Sequence, residues 1–116
     1  MAWLSRASER RTYPRFQADV PLVISLVGDE EIASLRAKAD GISEGGLSLS
    51  NVQGMGPDQA VSLEVHLPIA TQPIWVEAVV RHNAGRCGLQ FITLSNEQRE
   101  LIKRYCRLQA REKHHR

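Results

Sequence analysis

From Ala18 to Val27 the apolar residues Val20, Leu22, Ile24 and Leu26 recur at every second position. A period of two is that of a strand with one face buried. Pro21 near its start suits a strand end or an edge. After a compact turn at Gly28-Asp29-Glu30, Ala33, Leu35, Ala37 and Ala39 alternate with Ser34, Arg36, Lys38 and Asp40, which predicts a second strand. Leu47 and Leu49 alternate with Ser48 and Ser50 in a short third one, and Asn51–Asp58, with Gly54, Gly56 and Pro57, reads as loop. Val61, Leu63, Val65 and Leu67 define a fourth strand over Ala60–Leu67. A loop bounded by Pro68 and Pro73 follows. Ile74, Val76, Ala78 and Val80 form the inner face of a fifth strand, with Trp75, Glu77 and Arg81 on its other face. A turn at Asn83-Ala84-Gly85 leads to a sixth strand through Cys87, Leu89 and Phe91.

The period then changes. Ser95-Asn96-Glu97-Gln98 fits a capping box, and Leu101, Ile102, Tyr105 and Leu108 follow at helical spacing. Six short antiparallel strands in 116 residues are most simply satisfied by a closed or nearly closed barrel, which removes exposed edges. The expected fold is therefore mainly all-β, a six-stranded antiparallel β-barrel with a C-terminal α-helix. Three segments are expected: a flexible basic N-terminal arm over 1–17, the barrel with its helix over 18–110, and a basic tail over 111–116.

Composition narrows the class. No apolar run approaches the ~20 residues that a membrane-spanning helix needs, and the first ten residues lack the apolar stretch of a signal peptide. A cytoplasmic protein is expected. Cys87 and Cys106 have no CxxC partner and read as reduced core thiols. The formal net charge of +2 conceals an uneven distribution. Residues 1–16 sum to +3, residues 99–116 to +5 and the middle to −6. Basic ends around an acidic body suit an anionic partner. For the C-terminal run a solvated helix face is the simpler reading.

An enzyme should leave a trace. His66, His82, His114 and His115 form no metal-ligand spacing, and there is no GxSxG elbow and no Walker loop. Asp40 and Glu44, read as members of one tight turn, suit turn formation better than acid–base chemistry. The expectation is a non-enzyme without metal or cofactor.

Two clusters carry the chemistry. Arg10-Arg11-Thr12-Tyr13-Pro14-Arg15 holds an R-x-x-x-R pair, Arg11 and Arg15. Pro14 biases Tyr13 toward extended geometry, and an extended arm reaches over a ligand. Guanidinium is a planar fork that matches phosphate and the O6/N7 edge of guanine. Composition alone fits such an arm and a plain basic leader equally. The second cluster, Asp40-Gly41-Ile42-Ser43-Glu44-Gly45-Gly46, spells D-x-S-x-x-G through Asp40, Ser43 and Gly46. A carboxylate suits the N–H edge of guanine, a hydroxyl suits phosphate, and glycine admits close approach. Taken alone, the same residues also make an ordinary turn.

In combination, an R-x-x-x-R arm, a strand and then D-x-S-x-x-G resemble the PilZ family, from about Arg10 to Tyr105. Val79-Val80, the Gly88-Leu89-Gln90-Phe91 strand and the C-terminal helix extend the resemblance. It implies a six-stranded barrel closed by a helix. It also implies a non-catalytic receptor for the bacterial second messenger cyclic di-GMP, signalling to a partner protein through rearrangement of its arm. Carried over, Arg11 and Arg15 hold guanine edges and phosphates, Asp40 and Ser43 hold the other side of the ligand, and Gly45 and Gly46 permit its approach. Arg10 is an extra guanidinium suited to a second, intercalated ligand molecule. Arg81 stands roughly where many family members place an aromatic residue, and arginine also stacks on purines. Trp75 shares that strand face at a distance and reads as a half-buried wall residue. With no second domain expected, output falls to an unidentified downstream protein. Two rivals remain: a PilZ-fold interaction module without ligand, and a small nucleic-acid-binding barrel. Aromatic residues at 5% make an exposed stacking platform for a polymer improbable, so no nucleic-acid polymer is expected.

Overall fold

The computed structural model describes residues 13–27, 32–50 and 52–114. Among the described residues, six strands are followed by one helix: β1 (Phe16–Val27), β2 (Ile32–Ser43), β3 (Gly46–Ser50), β4 (Ala60–Val65), β5 (Ile74–Ala84), β6 (Arg86–Thr93) and α1 (Asn96–His114). The strands close into an antiparallel barrel in the order β1-β2-β3-β6-β5-β4, with β4 paired back to β1 through Leu22↔Val65 to Ser25↔Ser62. Closure leaves no edge among the described strands to template aggregation.

The apolar positions of each alternating run meet inside. Val20, Leu22 and Ile24 of β1 pack with Ile42, Leu49, Leu63, Val65, Val76, Val80, Cys87 and Leu89. Removing one such aliphatic side chain from water stabilises the fold by about 1.5–3 kcal/mol. Ile102, Tyr105 and Cys106 of α1 join the same core, whereas Leu108 stays exposed. Leu67 lies past the end of β4 but is buried nonetheless.

The helix begins as the sequence predicts. The Gln98 amide donates to Ser95 Oγ at 3.1 Å, and the Ser95 amide donates to Gln98 Oε1 at 3.0 Å. Both are otherwise orphan donors of a helix start. Further along, α1 is tied to β1 where pairing with β2 shifts register between Gln17 and Val20. A bulge leaves backbone groups without a ladder partner. Here the Asp19 amide donates to the Tyr105 hydroxyl at 3.4 Å, and Gln109 Nε2 donates to the Gln17 carbonyl at 2.9 Å.

Two strand ends and one burial differ from the expectation. Asp40, Gly41, Ile42 and Ser43 belong to β2, so only Glu44 and Gly45 turn, and Asp40 and Glu44 do not share a tight turn. Ile42 is buried three positions after buried Ala39, so the strand itself continues through the glycine stretch while its inward phase shifts opposite the bulge in β1. Asn83 and Ala84 likewise belong to β5, and Gly85, at φ +82°, makes the turn alone. Trp75 is 62% exposed rather than half-buried.

Candidate functional site

The D-x-S-x-x-G residues and the end of the arm meet on one outer wall of the barrel. Near the start of β1, Phe16 pairs with Ile42 and Gln17 with Gly41. Continued by one residue, that register sets Arg15 opposite Ser43. Ile42, Leu47, Leu49, Cys87 and Leu89 point inward, so Gly41, Ser43, Gly46, Ser48, Gly88 and Gln90 belong to the outer face.

Two rows of outward positions then cross the wall. One runs Gln17–Gly41–Ser48–Gly88–His82 over β1, β2, β3, β6 and β5. The other runs Ser43–Gly46–Gln90, with Arg15 at its near end. At its far end Arg81 Nε donates to Gln90 Oε1, and Arg81 Nη1 lies 3.5 Å from Asp58 Oδ1. Arg81 occupies an irregularity in β5, where pairing with β6 shifts register between Val80 and His82.

Asp40 stands beside these rows. Arg86, on β6, reaches past β3 and pairs with the Asp40 carboxylate. The hydrogen bond from Arg86 holds the Asp40 carboxyl below its ordinary value, partial burial opposes this, and a hydrogen bond from Ser48 assists. The Arg86 guanidinium is raised in turn by the same pair. Asp40 therefore presents a fixed carboxylate, roughly half exposed, whose Oδ1 takes the Arg86 contact.

Ser43 is a buried polar residue whose Oγ accepts from the Gly45 amide at 3.0 Å. Its own proton remains to donate. The Gly45 carbonyl accepts from the Phe91 amide at 2.9 Å, which pins the turn to β6. A Cβ on Gly45 would lie 3.0 Å from Cδ2 of Tyr13, so the arm's ring rests on the turn itself. Tyr13 also borders a cleft of about 170 Å³ with Glu44, Gln90, Ile92 and Arg99. A Cβ on Gly46 would overlap the Leu89 carbonyl, so the close pairing of β3 with β6 accounts for that glycine.

Of the residues singled out from sequence, Arg15, Asp40, Ser43, Gly45, Gly46 and Arg81 thus fall on or beside one surface. Arg10 and Arg11 lie outside the described residues. Trp75 is remote: it pairs with Glu64, and its carbonyl accepts from Gln98 Nε2 at 2.9 Å near the start of α1. Six residue steps along β5 separate it from Arg81, about 20 Å. Sequence reasoning passed over Ser48, Arg86, His82 and Gln90. The alternation of β3 signals that Ser48 faces outward, but no local pattern joins Asp40 to Arg86, 46 positions away. The wall combines cations at Arg15, Arg81 and Arg86, a fixed carboxylate and a floor of small residues, which suits an anionic ligand with flat polar rings. Among the described residues, no group of His, Cys, Asp and Glu has the geometry to hold a metal ion.

Solved structures with this fold include the Bacillus subtilis inhibitor of motility MotI/DgrA, with a TM-score of 0.71 and 23% identity over 90% of this chain and 52% of that one. They also include the PilZ domain of Escherichia coli YcgR with c-di-GMP, at 0.65 and 17% over 89% and 93%. The K. pneumonia MrkH–c-di-GMP complex gives 0.65 and 17% over 90% and 55%. The chain thus spans about half the length of MotI and MrkH. No curated protein matches it in sequence. The PilZ domain family model matches residues 9–108, and the chain belongs to that family.

Proposed function

We propose that the chain is a non-catalytic cyclic di-GMP receptor that binds its ligand on the outer wall of β2, β3, β6 and β5. The observation that carries this reading is the register that sets Arg15 opposite Ser43, beside the Asp40 carboxylate. Asp40 accepts from the N1–H and N2–H edge of one guanine, and Ser43 donates to a phosphate oxygen. Arg15, with Arg11 and Arg10 from the preceding arm, supplies guanidinium groups to the phosphates and to the O6/N7 edge of guanine. Gly45 and Gly46 leave the turn low enough for the ligand to pass over it, and Arg81 closes the far side. Charge-assisted hydrogen bonds contribute roughly 1.5–3 kcal/mol each, so four or five outweigh the ~1–2 kcal/mol per residue needed to fix the arm.

Closing the arm over the ligand changes the surface around Tyr13 and the β2–β3 turn, and that change is what a downstream protein reads. The arm over 1–17 is thus the responsive part and the barrel over 18–110 its rigid support. The two cysteines, free and buried, suit work in a reducing cytoplasm. No described helix is long and apolar enough to cross a membrane.

Calorimetric titration with cyclic di-GMP tests this. The wild type binds at micromolar affinity or better, and Arg11→Ala or Arg15→Ala loses measurable binding while its melting temperature without ligand is unchanged. One ligand per chain removes the role given to Arg10 in holding a second molecule. Unaltered affinity in the Arg15 variant refutes the site.

A further inference from the structure

We infer that the outer face of α1 is an interface for a second copy of this chain, the two helices lying antiparallel about a two-fold axis at the level of Ile102. The inference stands whether or not the chain binds cyclic di-GMP.

Glu97, Glu100, Arg104 and Arg107 are all exposed. At 3.6 residues per turn they form one stripe, opposite the face that carries buried Ile102, Tyr105 and Cys106. Their spacings are three, four and three, so the stripe is symmetric in position about residue 102. In charge it is antisymmetric, with two carboxylates before that point and two guanidinium groups after it. A pattern of this kind pairs with a copy of itself only when the copy is reversed. Glu97 then faces Arg107 of the second copy and Glu100 faces its Arg104. The two-fold repeats both contacts, so four acid–base pairs form along about 15 Å of helix and no like charges meet.

Within one chain these groups are left available. Among the described residues Glu97, Arg104 and Arg107 make no ion pair, and Glu100 meets only Lys103, at 3.5 Å and exposed. Past Glu97, the exposed Leu108 of the second copy overhangs the start of α1. That end of the helix is tied to Trp75, whose carbonyl accepts from Gln98 Nε2 and whose side chain is largely uncovered. Exposed tryptophan beside an apolar or cationic neighbour is typical of contact surfaces. An anionic polymer or lipid surface fits this face less well, because Glu97 and Glu100 repel it. Exposed ion pairs are individually weak and screened by salt, so the dimer dissociates on dilution and in high salt.

Sedimentation equilibrium over a dilution series at low ionic strength tests the interface. The wild type should approach twice the mass of one chain and revert to monomer when salt is raised. Glu97→Arg with Glu100→Arg gives a stripe of four cations, and Arg104→Glu with Arg107→Glu gives a stripe of four anions. Each double variant alone should be monomeric, and an equimolar mixture of the two should form a heterodimer. Arg36→Glu, a charge reversal on β2, should dimerise as the wild type does. Circular dichroism verifies that each variant is folded. Should a reversed variant fail to fold, Arg104→Gln with Arg107→Gln removes the same pairs more gently and should weaken the dimer at least about five-fold. A wild type monomeric at every concentration overturns the inference. So does a reversed or neutralised variant that dimerises as the wild type does, or a mixture of folded reversed variants that stays monomeric. Loss of the dimer in Arg36→Glu overturns it too, since net charge and not the stripe would then govern association.

Discussion

Arg86 and Asp40 form an ion pair that bridges β6 and β2 across the intervening strand β3, joining residues 46 positions apart in sequence. The pair keeps the Asp40 carboxyl ionised below its ordinary value of 3.8. Because the folded value is the lower one, the stabilisation is complete above about pH 4 and is lost as pH falls through the folded value. Carboxyl-carbon NMR titration should place the Asp40 midpoint below 3.8 in the wild type and return it toward 3.8 in Arg86→Ala. The stability difference between the two proteins should shrink in stronger acid. Identical midpoints would show that the pair does not exist in solution.

Gly45 and Gly46 are neighbours with different obligations. A methyl group at 46 meets the Leu89 carbonyl, part of a paired strand, whereas one at 45 meets the Tyr13 ring at 3.0 Å, and that ring can swing aside. Urea unfolding should show Gly46→Ala destabilised by about 1–3 kcal/mol or more, the usual penalty of overpacking. Gly45→Ala should lose clearly less.

The start of α1 depends on a reciprocal pair of hydrogen bonds between Ser95 and Gln98. Ser95→Ala should cost about 1 kcal/mol in chemical denaturation. Because Gln98 also donates to the Trp75 carbonyl, Gln98→Ala should additionally loosen the junction of α1 with β5. Faster hydrogen exchange at the Gln98 and Arg99 amides reports the first loss. The Arg99 amide donates to the Ser95 carbonyl at 2.9 Å, so it follows the same first turn.

Burial pushes the Cys106 thiol up to about 11 and raises Cys87 as well, and the nearby Glu44 adds to the effect on Cys106. Thiolate is the reactive form. Alkylation of both cysteines at pH 8 should therefore be slow in the folded protein and rapid in denaturant. Fast labelling of Cys106 without denaturant would place it outside the core.

The barrel was legible because each strand carries a clean two-residue period, and the capping box was legible because it is local. The ends of strands were less so. Gly41 and Gly45 look like punctuation, yet Gly41 stays in β2 because its pairing partner Ser48 needs the space a side chain would take. The motif residues Asp40, Ser43 and Gly46 could be named from sequence, but what holds Asp40 could not. Arg86 and Ser48 are brought to it by strand order, with β3 placed beside β6, and no spacing along the chain encodes that neighbour. Nor does the sequence reveal that the His82 ring lies on the backbone of Gly88.

The most direct measurement is amide chemical-shift mapping of the isotope-labelled protein during titration with cyclic di-GMP. The expected perturbations centre on Arg15, Gly41, Ser43, Gly46, Ser48, Arg81, His82 and Gly88, with little change at Val23, Glu64 or Trp75. Perturbations gathered instead on the β1–β4 side of the barrel, or none at millimolar ligand, would contradict the assignment of this wall.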